Sequence, residues 1–72
     1  MSNHVSVTQY REVLKDLFEN NIIYQVQVIN DIRDEFINGR GKVYAIKICY
    51  HYTGLSLVES KNYVEKLLGI IS

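Results

Sequence analysis

Residues 41–68, GKVYAIKICYHYTGLSLVESKNYVEKLL, decide the fold. Gly54, at the centre of a Thr-Gly-Leu hinge, interrupts a helical pattern, and glycine is favoured just after a helix end. Ser56 and Glu59 then have the spacing of a capping box, which starts another helix. The stretch therefore predicts two helices joined by a tight turn.

Apolar positions predict which faces of these helices are inside. The first helix is expected over residues 42–52, with Val43, Ile46 and Tyr50 on one stripe, at helical spacing. The stripe is widened by Ala45, Cys49 and Tyr52. The second helix is expected to end at Gly69. Its predicted inner face consists of Leu57, Ser60, Val64, Leu67 and Leu68.

Ahead of the hairpin, the pattern predicts one helix and then strands. Ser6 and Gln9 form a second capping box, and apolar residues follow helical spacing up to Asn20. From residue 22 to 29 the pattern alternates, which predicts a strand with one face on the core. Residues 32–37 are expected to form a second strand, and residues 38–41 a glycine-rich loop.

These patterns together predict an α+β fold in one domain of 72 residues. It would be a small two-layer domain, with three helices packed on a two- or three-stranded antiparallel sheet in the order α-β-β-α-α. Residues 70–71 would add a short C-terminal edge strand, and residues 1–5 would be a flexible tail. Apolar residues make up 47% and proline is absent, as expected of a folded chain.

Composition limits the class of protein. Eight basic residues balance eight acidic ones, so the chain as a whole does not attract nucleic acid. Cys49 is the single cysteine, which excludes an internal disulfide and favours a reducing compartment. No apolar run approaches the ~20 residues of a membrane span. We therefore expect a cytoplasmic protein with no membrane partner.

No pattern of catalytic or metal-binding residues is present, so we expect no enzyme activity, no metal and no cofactor. The histidines, His4 and His51, lack the spacing of a metal site. Cys49 is expected to be a small core residue. The acidic cluster at residues 31–35 lacks the pattern of a calcium loop. The loop at residues 38–41 precedes a helix, as anion sites do, but lacks a phosphate-loop motif.

The hairpin resembles the C-terminal domain of the bacterial ribosomal stalk protein. A lysine and valine open its first helix, an Ile-Lys pair follows, and a Thr-Gly-Leu-x-Leu turn leads into a second helix with Glu, Lys and Val-Glu. The matching residues are Lys42, Val43, Ile46, Lys47, Thr53, Gly54, Leu55, Leu57, Glu59, Lys61, Val64 and Glu65. In that family a helix and strand follow the hairpin, whereas here they would precede it. The order suggests a circular permutation; convergence on a helical hairpin is the alternative.

The resemblance implies a binding surface for translational GTPases. The family residues present are Lys42, Val43, Ile46, Lys47, Gly54, Leu55 and Lys61. Tyr50 stands where the family usually has arginine, and Val58 where it usually has lysine, so this surface is less basic and more apolar. These nine residues are the predicted partner-binding site.

We therefore expect a non-enzymatic protein-interaction module. Its small size and permuted order also suit a regulator encoded by a phage or mobile element. The alternative is a small protein that binds single-stranded RNA or DNA through the basic residues and tyrosines of the hairpin. A homodimer that buries those tyrosines between protomers is a third interpretation.

Overall fold

The protein consists of four α-helices in the computed structural model, which describes residues 6–69. They are α1 (Val7–Asn20), α2 (Ile22–Asn38), α3 (Lys42–Thr53) and α4 (Leu57–Leu67). These residues contain no strand, so the predicted α+β fold is wrong. The predicted tail and edge strand lie outside the described residues.

Helix α1 begins as predicted. The Ser6 hydroxyl accepts a hydrogen bond from the Gln9 amide, and the Gln9 side chain accepts one from the Ser6 amide, both at 3.1 Å. Asn21 ends α1 in an extended conformation and at once caps α2, because its side chain accepts a hydrogen bond from the Tyr24 amide. One residue therefore forms the whole connection.

Helix α2 replaces both predicted strands. Tyr24, Val28, Ile32 and Phe36 recur every four residues and form the stripe that packs on the core. Apolar residues also occupy an outer face, where Ile22 and Val26 are exposed. The two apolar stripes together gave the alternating pattern, and this is why a strand was predicted.

The hairpin of α3 and α4 is confirmed. Gly54 has φ +72°, the left-handed conformation expected at the helix end. Ser56 and Glu59 form the predicted capping box. On the predicted inner face, Ser60 and Val64 are buried, but Leu57 is 60% exposed and points outward.

The core is narrow. Among the described residues its buried apolar members are Phe18, Val28, Ile32, Ala45, Cys49 and Val64. Tyr63 packs edge-on against Phe18, with ring centroids 5.6 Å apart. The buried Ser60 hydroxyl has no hydrogen-bond partner of ordinary geometry. Residues 6–69 include no helix long and apolar enough to cross a membrane.

Candidate functional site

An open groove lies between α3 and α4. It has a volume of about 400 Å³ and is lined by Val43, Ile46, Lys47, Leu57, Val58 and Lys61. Val43, Leu57 and Val58 are each exposed by 60% or more. Helical spacing explains the arrangement, because Val43, Ile46 and Lys47 share one face of α3, as do Leu57, Val58 and Lys61 on α4. The groove is therefore an accessible apolar surface with a lysine on each helix.

A buried glutamate joins the two helices beside this groove. The Glu65 carboxylate forms an ion pair with Lys42, and its Oε2 lies 3.5 Å from Lys61 Nζ. The hydrogen bond and charge of Lys42 lower the pKa of Glu65, although desolvation opposes the shift. Lys42 therefore holds α3 to α4, while the Lys61 side chain is still 58% exposed.

A cluster of one tyrosine and two basic residues lies at the start of α3. The Arg40 guanidinium carbon and Lys47 Nζ are each 4.7 Å from the centroid of the Tyr44 ring. Such distances are typical of cation–π contacts. Tyr44 is 36% exposed, so the cluster forms a positively charged aromatic surface next to the groove.

The structure brings together five of the nine predicted partner-binding residues. Val43, Ile46, Lys47, Val58 and Lys61 line the groove. The other four do not line it. Lys42 is paired with Glu65, and contacts with α1 involve Tyr50, Gly54 and Leu55.

Arg11 of α1 makes most of these contacts. Its guanidinium donates hydrogen bonds to the Tyr50 carbonyl at 2.8 Å and to the Leu55 carbonyl at 2.7 Å. It also lies 3.8 Å from the centre of the Tyr50 ring. A single side chain therefore binds both sides of the hinge, and Tyr50 is engaged within the molecule.

Gly54 also serves packing against α1. A Cβ atom at this position would lie 2.1 Å from the Arg11 carbonyl oxygen and 2.7 Å from the Lys15 amide nitrogen. These are backbone atoms, which cannot relieve the overlap by a change of rotamer as a side chain can. Gly54 is thus required both by its φ angle and by the close approach of α1.

The other candidate residues belong to the framework. Cys49 is fully buried, as expected, and burial raises the pKa of its thiol. The nearby Ser60 hydroxyl opposes this rise, although it makes no hydrogen bond of ordinary geometry. His51 is exposed at the end of α3. Within residues 6–69 no three His, Cys, Asp or Glu side chains converge as metal ligands do.

The glycine-rich loop before α3 closes on a carboxylate. Glu35 Oε2 accepts a hydrogen bond from the Arg40 amide at 2.8 Å, and the Glu35 carbonyl accepts from the Gly39 and Gly41 amides. A negative charge therefore already occupies the position considered for an anion. Asp34, from the same acidic cluster, accepts a hydrogen bond from Asn38.

Sequence reasoning missed two positions that shape the candidate site. Leu57 was assigned to the inner face, although its position at the start of α4, next to Val58, places it beside the groove. Arg11 was not among the predicted site residues. Its role depends on residues 39 and 44 positions away, and no local pattern signals such a contact.

Comparison with known proteins found no relative: no family model, curated protein or solved structure matches this chain. A functional proposal therefore rests on the groove and on the residues that resemble the stalk hairpin. The strand that accompanies that hairpin in the stalk domain has no counterpart in residues 6–69.

Proposed function

We propose that the chain is a non-enzymatic protein-interaction module that binds a partner in the groove between α3 and α4. One observation carries the proposal: an exposed apolar floor lies between two lysines on adjacent helices. Val58, the most exposed apolar residue of the groove at 70%, is the natural anchor for a partner side chain. A few central, well-packed side chains supply most of the affinity at interfaces, and the partner side chain that contacts this groove would be one of them.

The partner suited to this groove is a protein segment with apolar side chains and neighbouring carboxylates. Lys47 and Lys61 would meet the carboxylates and raise the association rate, which is the usual contribution of charges at the edge of an interface. A translational GTPase is the first partner to test, because the stalk domain that the hairpin resembles binds that class.

The test is a binding measurement with purified translational GTPases and two variants. Val58→Glu places a charge on the groove floor, and the double variant Lys47→Glu with Lys61→Glu reverses its edges. Both are expected to weaken binding by at least about tenfold, equivalent to roughly 1.4 kcal/mol. Lys66→Glu, an exposed charge reversal on α4 outside the groove, is the matched control and should bind as wild type does.

Circular dichroism must first show that the variants keep their helices. A pull-down from lysate in which the double variant recovers the same partners as wild type would refute the groove as the binding site. Binding of none of the GTPases by wild type would leave the groove without the partner class inferred here, and would refute that part of the proposal.

A second candidate function is binding of single-stranded nucleic acid, favoured by the Arg40, Tyr44 and Lys47 cluster. An exposed ring beside two cations can stack on a base while the cations contact phosphates. Tyr44→Ala should then abolish binding to a labelled oligonucleotide, and affinity for it should fall steeply with salt. An apolar protein contact at Val58 should change little over the same salt range.

A further inference from the structure

Exposed apolar side chains cover a second region, on α1 and the start of α2. On α1 they are Val7, Tyr10, Val13 and Leu17, with exposed fractions from 38% to 75%. On α2 they are Ile22, Ile23 and Val26, with exposed fractions from 51% to 74%. None of these seven residues lines the groove between α3 and α4.

The exposed stripe on α1 borders the residues that pack on the core. Tyr10, Val13 and Leu17 follow the spacing i, i+3, i+7, which places them on one side of the helix. The half-buried Leu14, four residues after Tyr10, connects this stripe to the buried Phe18. Helix α1 therefore has one broad apolar face, of which only the edge at Leu14 and Phe18 is covered.

Charged residues are depleted in the α2 part of this region. Residues 22–30 contain no charged side chain at all. On α1, Gln9 and Asn20 beside the stripe are uncharged, whereas Glu12 and Asp16 flank Val13. Depletion of charge at an exposed apolar surface is the compositional mark of an interface core.

The two apolar stretches adjoin at the corner between the helices. Leu17 lies one turn before Asn21, and Ile22 follows it directly. The Gln25 side chain also donates a hydrogen bond to the Glu19 carbonyl across this corner, at 3.2 Å. We infer that this α1–α2 surface is the interface of a homodimer, with a second copy of the chain as its occupant.

The available area matches that interpretation. At roughly 60–100 Å² of exposed apolar surface each, the seven side chains supply about 400–700 Å² per protomer. A stable interface buries about 800 Å² on each partner, including its polar edge. The polar neighbours of the stripe supply the remainder.

A second copy is the occupant that the chemistry favours. The α2 part of the surface offers a charged partner nothing to pair with, whereas a second copy presents an uncharged apolar stretch of equal size. Two-fold symmetry makes such a contact self-complementary. A chain this short also gains the burial that its small core lacks. The groove stays free, so this inference does not depend on the proposed function.

The test is the mass in solution over a wide concentration series, measured by sedimentation equilibrium. Wild type should approach twice the 8.4 kDa of one chain. Val13→Glu combined with Ile23→Glu should raise the dissociation constant at least about 100-fold, because charges would be buried in the contact. Val58→Glu, an equally exposed change in the groove, is the control and should dimerise as wild type does.

Three results would overturn the inference: a wild-type monomer at the highest soluble concentration, a dimer that survives the double glutamate change, or a dimer dispersed by Val58→Glu. Circular dichroism should show unchanged helix content, since both altered side chains are exposed. If the glutamate variant unfolds, Val13→Gln with Ile23→Gln replaces it, and a dissociation constant equal to that of wild type would then refute the interface.

Discussion

The α1–α2 connection and the α3–α4 turn are held in different ways. Asn21 is the single residue that connects α1 to α2, and its own side chain caps the helix that follows. The α3–α4 turn instead depends on α1, whose backbone packs against Gly54 and whose Arg11 binds the Tyr50 and Leu55 carbonyls. The first turn is therefore stabilised locally, whereas the second adds tertiary contacts to its own capping box, so substitutions at those tertiary contacts should cost more.

Gly54→Ala should have the largest effect. The new Cβ would overlap backbone atoms of α1, and alanine is strained at φ +72°. Overpacking and left-handed strain together should lower the free energy of unfolding by about 3–4 kcal/mol. Urea unfolding followed by circular dichroism measures this. Gly69→Ala is the matched control, because it has φ +70° and open space around it, and should cost only about 1 kcal/mol.

Arg11→Ala should come next, with a loss of about 2 kcal/mol. It removes two charge-assisted hydrogen bonds and leaves two carbonyls without their donor. Arg11→Lys keeps the charge but cannot bind both carbonyls with a planar fork, so it should restore only part of the stability. Equal stability of the lysine variant and wild type would contradict the proposed geometry at the hinge.

Asn21→Ala should cost about 1 kcal/mol, the usual value of a helix N-cap. The change removes the hydrogen bond from the Tyr24 amide, yet leaves the packing of both helices in place. Asn30→Ala, at an exposed position within α2, serves as the control and should be neutral or slightly stabilising. A loss at Asn21 as large as that at Gly54 would remove the distinction between the two turns.

Glu65→Gln should have the smallest effect, and it should depend on pH. Because Lys42 lowers the pKa of Glu65 in the folded state, the carboxylate stabilises the fold above its unfolded pKa of about 4.3. That contribution is lost as pH falls through the lower, folded pKa. The glutamine variant should therefore be less stable than wild type at neutral pH and lose less stability in acid. Glu12→Gln, exposed on α1, is the control.

The sequence predicted the hairpin well because its signals are local. Both capping boxes and Gly54 act within one turn of the residues that they order, so α1 and α4 begin, and α3 ends, as expected. The prediction failed for α2, because Tyr24, Val28 and Ile32 face the core while Ile22 and Val26 face outward. Two apolar faces on one helix obscure the helical period of each face in the sequence. The apolar residues of the outer face are explained only if another surface covers them.

The residues of the candidate site show the same difference between local signals and contacts distant in sequence. Lys47, Val58 and Lys61 were predicted to share a surface, and helical spacing together with the packing of α3 on α4 at the predicted turn brings them together. Tyr50 and Leu55 were placed there too, but α1 contacts this side of the hairpin. Which face of a hairpin stays open depends on contacts between residues far apart in the chain, and spacing within the hairpin does not report them.

The Arg11 contacts also bear on the order of folding. They join residues separated by 39 and 44 positions, whereas the α3–α4 hairpin forms from neighbouring stretches of chain. Closing so long a loop carries an entropic cost that is recovered only after the hinge carbonyls are already in place. We expect α1 to dock late, so that loss of Arg11 accelerates unfolding in stopped-flow experiments and leaves the folding rate nearly unchanged. The hinge would then form early in folding, and its contacts with Arg11 would form last.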